Sequence, residues 1–219
     1  MEREDVKEAY RQRRETIEKR LQEFHDLQDA SDERIFRELV FVLLSSQSPA
    51  REAWKAAEKL EKRGLLLEGD RESIAQHLED TEVKYTHEKS GYIVKNRKRL
   101  SQPTLARPGG SIKIGDRLNP ERLDRTRENL VDELEGIGWK GASHFLRNVG
   151  YGNSFAIISG HIAEAMHELG LTDSPQPPAA RERYMTLEKK IQDFSADTGI
   201  EVQALDLVLW SMKTGEVFR

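Results

Sequence analysis

Apolar residues recur mostly at steps of three and four through residues 2–29, at Val6, Ala9, Tyr10, Ile17, Leu21, Phe24 and Leu27. Almost everything between them is a polar helix former, so the pattern predicts one long amphipathic helix with a single buried stripe. Ser31 is placed to cap a second helix over 32–45, with Asp32 and Glu33 favourable in its first turn. Residues 39–44 of that helix are apolar throughout, which predicts burial on every side. Pro49 opens a third helix running through Trp54 and Leu60 to Gly64, a C′ glycine. Two further helical stretches follow, near 71–78 and 88–100. Residues 103–120 carry three prolines and three glycines and read as an ordered surface loop. Beyond it the periodicity predicts helices over 120–134, 140–149, 160–169, 179–194 and 201–213. The expected fold is all-α, about ten helical elements with strand signals nearly absent.

Composition narrows the function classes. The 219 residues include no Cys, which excludes disulfides, thiolate zinc sites, iron–sulfur clusters and cysteine nucleophiles. The six His are scattered, and none forms a His-x-x-x-His pair. The longest apolar run is far short of the roughly 18 residues that cross a bilayer, and the amino terminus is charged, so neither a membrane span nor a signal peptide is expected. That points to a cytoplasmic, nucleoid-associated protein. The net charge of -4 hides an asymmetry. Twelve acids precede Val40, whereas Lys84, Lys89, Lys95, Arg97, Lys98, Arg99 and Arg107 face one acid, Glu88, within 84–107. Lys95, Lys98 and Arg99 are placed to track a phosphate backbone, although such a run is more often a solvated helix face.

The stretch 129–148 has a helix–glycine hairpin–helix pattern. Gly136 and Gly138 permit the dihedrals of a tight turn, and Ile137 between them can anchor in a core. Backbone N–H groups at the start of the second helix, together with its dipole, make a phosphate site that reads no base sequence. Lys140 falls in the first turn of that helix. Two readings stay open from the residues alone. Either Lys140 is a solvated lysine or phosphate contact, or the helix field and partial burial favour its neutral amine, making it a nucleophile able to form a Schiff base.

Leu134-Glu-Gly-Ile-Gly-Trp-Lys-Gly-Ala-Ser-His-Phe-Leu-Arg-Asn-Val-Gly-Tyr151 resembles the signature of the helix-hairpin-helix DNA glycosylases, in particular the archaeal and thermophile-type 8-oxoguanine DNA glycosylase/AP lyases. Leu43-Leu-Ser-Ser-Gln-Ser48, the segment 85–100 and Leu205-Asp-Leu-Val-Leu-Trp210 are similar to other family segments, in the same order. The resemblance implies a two-lobed helical protein, with one lobe over 31–148, including the hairpin 130–148, and the other formed by 1–30 with 149–219. It implies that Lys140 attacks C1′ of a damaged nucleoside rotated out of the duplex, expels the base, and nicks the strand by β-elimination from the Schiff base. By the same resemblance Trp210 would stack on or line the base pocket, Asp206 and the terminal Arg219 would contact the base, and Gln47 would fill the gap in the duplex. Gly136, Gly138 and Gly141 would meet the DNA backbone. The implied partner is double-stranded DNA with a damaged base or abasic site, bound by a monomer without cofactor, metal or membrane.

Two positions depart from the family pattern. The family writes Leu-Asp-x-His after the hairpin helix, and this chain reads Ile158-Ser-Gly-His161, so Ser159 stands where the catalytic carboxylate belongs. A hydroxyl can hydrogen-bond but cannot supply charge to a cationic sugar, a loss on the order of 10² to 10⁴ in rate. Three explanations compete: reduced activity, another acid such as Glu164 or Asp206 at the site, or a shift toward lyase-only or binding function. The chain ends in Arg219 where the family tends to end in Lys, which changes donor geometry at the base. His161 reads as a ligand, a catalytic residue or a satisfied core residue, His144 faces the same question with a DNA contact possible one turn past Lys140, and Trp54 and Trp139 read as core. The rival functions are an AP lyase or damaged-DNA binder with little base excision, and a helical protein-interaction module.

Overall fold

The computed structural model describes every residue except 104, 106, 107, 109 and 153, so Arg107 of the basic stretch lies outside the described residues. Among the described residues are eleven α-helices and one pair of two-residue strands. The chain divides into two units, residues 1–28 with 146–219 and residues 29–145. No helix among the described residues is long and apolar enough to cross a membrane.

In the first unit, α1 (Arg3–His25) buries the expected stripe at Val6, Ala9, Ile17 and Phe24. The same chain later enters the second unit as α2 (Asp32–Ser45), where Ser31 Oγ accepts from Arg34 N at 3.3 Å. All of residues 39–44 are buried, because α3 (Ala50–Lys62) lies along α2 and offers Ala53, Ala56, Ala57 and Leu60. Small side chains on α3 allow the two backbones to approach. Gly64, at φ +72°, ends α3 as a glycine must and starts the short α4 (Leu65–Glu68), a turn that periodicity did not predict. Arg97 caps α4 by donating to the carbonyls of Leu65, Leu66 and Gly69.

Asp70 caps α5 (Arg71–Glu79), accepting from Ser73 N at 2.7 Å. Then α6 (Thr86–Leu100) packs on α5 and α2. Within the segment read as a loop, β1 (Ser101–Gln102) pairs antiparallel with β2 (Ser111–Ile112). Pro120 opens a 3₁₀ turn, Pro120–Arg122, and not the α-helix itself, which is α7 (Leu123–Glu133). The hairpin leads into α8 (Trp139–Asn148).

The rest of the first unit is α9 (Gly160–Glu168), α10 (Arg181–Thr198) and α11 (Val202–Thr214). Helix α11 packs against α1, α9 and α10 and buries Leu205, Leu207, Val208 and Leu209. The segment before α9 is held by two buried bonds: Tyr184 Oη donates to Ala156 O at 2.6 Å, and Ala156 N donates to Glu188 Oε1 at 3.0 Å.

Candidate functional site

The hairpin is built from the core outward. Leu134 N donates to Leu130 O, closing α7, and Ile137 is buried between the two exposed glycines. Only Gly136 requires glycine. Its φ is +76°, and a Cβ there would stand 2.5 Å from the Tyr92 ring and 3.0 Å from Leu43. Gly138 does not adopt a left-handed conformation, and a Cβ there would meet nothing within 4 Å, so the expectation that both glycines serve the turn's dihedrals holds for Gly136 alone. A Cβ at Gly141 would make ordinary contacts with Val42 and Ile137. The exposed tip places the first turn of α8, where a helix leaves N–H donors without intrahelical partners, at the surface.

Two residues of α6 to which sequence reasoning gave no structural role are buried here, one bonded to the hairpin and one to the end of α2. Asn96, fully buried, donates to Glu135 O at 3.0 Å and accepts from Glu135 N at 2.9 Å, clamping the chain where α7 gives way to the turn. Lys89 is also buried, and its Nζ donates to Leu44 O at 2.8 Å, Ser46 O at 2.6 Å and Ser48 Oγ at 3.0 Å. Burial first, and the charge of Lys140 second, push the Lys89 ammonium down to about 8. Lys140 itself is half-buried in the first turn of α8. Lys98 and Arg99 are exposed, and Lys95 is exposed 3.8 Å from Glu135. Beside them a groove of about 450 Å³ is lined by Arg99 and residues 131–138.

The turn after α2 carries Gln47 in a left-handed conformation, φ +54°. Tyr85 shares that conformation, φ +59°, and its hydroxyl donates to Gln47 Oε1 at 3.3 Å. These are the two non-glycine residues with positive φ among those described, and both are exposed, the pattern of backbone strain that gathers at binding sites. Ser48 Oγ accepts from Lys84 N as well as from Lys89, so the basic segment anchors the Gln47 turn from two directions.

In the first unit, Asp206, Arg147, Phe24 and Arg219 form one cluster. Arg147 Nη1 lies 3.4 Å from Asp206 Oδ2, its Cζ lies 4.5 Å from the centre of the Phe24 ring, and Arg219 Cζ lies 5.3 Å from that same ring. Guanidinium–ring contacts of this kind hold the arginines by their planar faces. Trp210, one turn beyond Asp206, packs on Phe218 with centroids 6.3 Å apart. Sequence reasoning singled out Asp206, Trp210 and Arg219 but gave no role to Arg147 or Phe24. Phe24 was read as a core residue and Arg147 as part of the hairpin motif.

Ser159 is the N-cap of α9, its Oγ accepting from Ile162 N at 3.4 Å. His161 and Glu164 are exposed on α9. His144 is buried and stacks edge-on against Phe41, which does the same to Trp54, with Arg37 over the far ring at 4.8 Å. That column is a packing arrangement inside the second unit, with His144 buried and Trp54, read from the sequence as core, only half-buried at its edge. Trp139 lies under Arg127 at 5.4 Å.

Two helices joined by a Gly-Ile-Gly hairpin, with a half-buried lysine opening the second, make this a helix-hairpin-helix protein. The chain belongs to the 8-oxoguanine DNA glycosylase family Ogg-HhH, whose model matches residues 17–200. Curated relatives agree. An 8-oxoguanine DNA glycosylase/AP lyase of Korarchaeum cryptofilum is 35% identical over 206 residues, covering 94% of this chain and 91% of the relative. One of Fusobacterium nucleatum is 30% identical over 217 residues, 98% of this chain and 96% of the relative. Among solved structures, the 8-oxoguanine DNA glycosylase of Thermotoga maritima superposes with a TM-score of 0.85 at 27% identity, covering 99% of this chain and 98% of that one. The Methanocaldococcus jannaschii 8-oxoguanine glycosylase/lyase in complex with a 15mer DNA containing 8-oxoguanine superposes with a TM-score of 0.84 at 27% identity, covering 98% and 99%.

Proposed function

We propose that this chain is a DNA base-excision glycosylase with AP-lyase activity on 8-oxoguanine, using Lys140 as the Schiff-base nucleophile. The neutral Lys140 amine attacks C1′ of the flipped nucleotide and the C1′–N9 bond breaks, with its electron pair and a proton leaving on the base. The amine then forms an imine with the opened sugar, losing the ring oxygen as a hydroxyl. Loss of a C2′ proton expels the 3′ phosphate, which is the strand nick. The observation that carries this reading is the exposed Gly136–Gly138 turn with Lys140 at its exit, held from beneath by Asn96.

Other residues take roles consistent with that reading. The first turn of α8, with Gly136, Gly138 and Gly141, meets a phosphate of double-stranded DNA. Gln47 enters the gap left by the flipped nucleotide. Asp206 and Arg219 bind the base while Trp210 lines its pocket, and the protein acts as a monomer on damaged or abasic duplexes. Borohydride reduction in the presence of an 8-oxoguanine duplex traps a covalent adduct if the reading is right, and Lys140→Gln abolishes the adduct while leaving affinity for the duplex. Loss of trapping without loss of strand cleavage would overturn the role of Lys140.

A second reading has its own observation. The Ser159 hydroxyl already caps α9 and carries no charge, so base removal is the step most exposed to the substitution, whereas imine formation on a preformed abasic site needs no departing base. Trapping on an abasic duplex but not on an 8-oxoguanine duplex selects this lyase-only reading.

A further inference from the structure

We propose that Lys89 is a positioning residue for the Lys140 amine: its buried ammonium, fixed at the carboxyl end of α2, supplies a like charge that favours the nucleophilic, neutral form of Lys140. The proposal rests on the reading of Lys140 as nucleophile and adds to it a residue outside the hairpin.

The geometry runs through the last turn of α2. Leu43 faces Gly136, and Val42 faces Gly141, so this turn is the floor on which the hairpin sits. The next carbonyl along, Leu44 O, and that of Ser46 accept from Lys89 Nζ. Lys89 is thus held by dipoles at a helix carboxyl end, the place where a cation is favoured, and its three donors go to Leu44 O, Ser46 O and Ser48 Oγ. None of these acceptors is a carboxylate. Burial is the first cause that lowers the proton affinity of Lys89, and the like charge of Lys140 is the second.

Coupling between two titrating groups is reciprocal. If a proton on Lys140 makes the proton on Lys89 less favourable, a proton on Lys89 does the same to Lys140 by an equal free energy. The two partners are not equally placed. Lys89 is buried against fixed hydrogen-bond acceptors, whereas Lys140 is half-exposed in the first turn of α8, where the helix field also disfavours a cation. A second ammonium beside a nucleophilic lysine is a recognised way to free its lone pair near neutral pH.

The test is the pH profile of borohydride trapping on a preformed abasic duplex, in single turnover at saturating protein. Relative to the native chain, Lys89→Met is expected to move the rising limb upward by about one pH unit, so trapping at pH 6.5 slows about tenfold while the high-pH plateau is kept. Lys89→Arg, which keeps the charge, is expected to keep the native profile. Equal slowing at every pH would mark Lys89 as a structural prop and overturn the proposal, as would an unmoved profile. Should Lys89→Met not fold, the reciprocal measurement stands on the native Lys89: its side-chain ¹³Cε titration is expected to move to higher pH in Lys140→Gln, and an unmoved midpoint overturns the coupling. Native trapping that persists in Lys140→Gln is a different failure, that of the nucleophile itself.

Discussion

Arg147 and Asp206 form a buried ion pair, Nη1 to Oδ2 at 3.4 Å, in which the arginine side chain is 1% and the aspartate 9% exposed. The same guanidinium rests on Phe24, so one planar group pairs in charge with a carboxylate at its edge and meets an aromatic ring at its face. Removing one partner of such a pair strands the other charge, at a cost of about 3 to 5 kcal/mol. Arg147→Met is therefore expected to lower the melting temperature by about 10 °C, given the slope for a chain of this size. Lys in its place restores charge but not the flat contact with Phe24, so Arg147→Lys should recover less than half of the loss. Thermal unfolding by circular dichroism decides, and a drop under about 2 °C for Arg147→Met would show that the pair is not coupled to the fold.

Ser159→Asp separates capping from chemistry. Ser and Asp are nearly equal as N-caps, and the Cβ position of neighbouring Gly160 is open, so the variant should fold with a stability within about 0.5 kcal/mol of the native chain. On the proposed mechanism, a carboxylate at that position adds the charge that the sugar cation lacks. Single-turnover excision of 8-oxoguanine is expected to rise at least tenfold at unchanged duplex affinity, within the on-the-order-of 10² to 10⁴ range of such electrostatic effects. An unchanged or slower rate would show that the missing carboxylate does not limit the reaction.

The two hairpin glycines should part company on substitution. Gly136→Ala combines a left-handed backbone with a methyl group against the Tyr92 ring, and is expected to cost about 2 to 3 kcal/mol and most of the trapping. Gly138→Ala meets open space in the free protein and should keep the native stability within about 0.5 kcal/mol, so any loss of trapping it shows reports the close approach of DNA at this turn. Urea unfolding of both variants beside the borohydride assay distinguishes them; an equal loss of stability would mean that Gly138 serves the turn's own fold as Gly136 does.

The helices were legible because each buries one stripe, and a stripe leaves a period of three to four in the chain. What escaped is what leaves no period. The four residues of α4 are too few to show one, and β1 with β2 pair two residues each inside a glycine- and proline-rich segment. The boundary at Pro120 slipped because proline opens a 3₁₀ turn as readily as an α-helix. Among the residues proposed for function, Lys140, Ser159 and Asp206 are singled out by the family resemblance, which rests on local patterns. Asn96 and Lys89 were not, since their partners Glu135 and Leu44 lie 39 and 45 residues away. A lysine in a basic helix looks solvated until its burial is seen. Lys89 points inward while Lys98 and Arg99 point out.

Those outward cations predict the salt dependence. Each phosphate neutralised on duplex DNA contributes about 0.9 to the slope of log affinity against log salt. With Lys98 and Arg99 both exposed on α6, the double substitution to Ala is expected to reduce the slope by roughly two and to weaken damaged and undamaged duplexes alike. Fluorescence anisotropy over a salt series reads the slope directly. A slope equal to that of the native chain would take this helix face off the DNA.

Stability against pH follows from Lys89. Its ammonium titrates at about 8 when folded, below its ordinary value of 10.5, because burial and Lys140 both oppose the charge. At pH values between these two, the unfolded chain holds the proton and the folded chain has released it. The unfolded state thus binds more protons, and stability rises with pH across that window. Below pH 8 both states hold the proton and the contribution is flat, at its least favourable. A depression of this size corresponds to about 3 kcal/mol of stability gained on going from pH 8 to above 10. Other groups titrate in the same range, so the quantity to measure is the difference in urea-unfolding free energy between the native chain and Lys89→Met at pH 7.5, 9 and 10. The native chain is expected to gain on the variant steadily over that interval. A constant difference would mean that the buried lysine keeps an ordinary proton affinity, and that the carbonyls of Leu44 and Ser46 offset the cost of burying its charge.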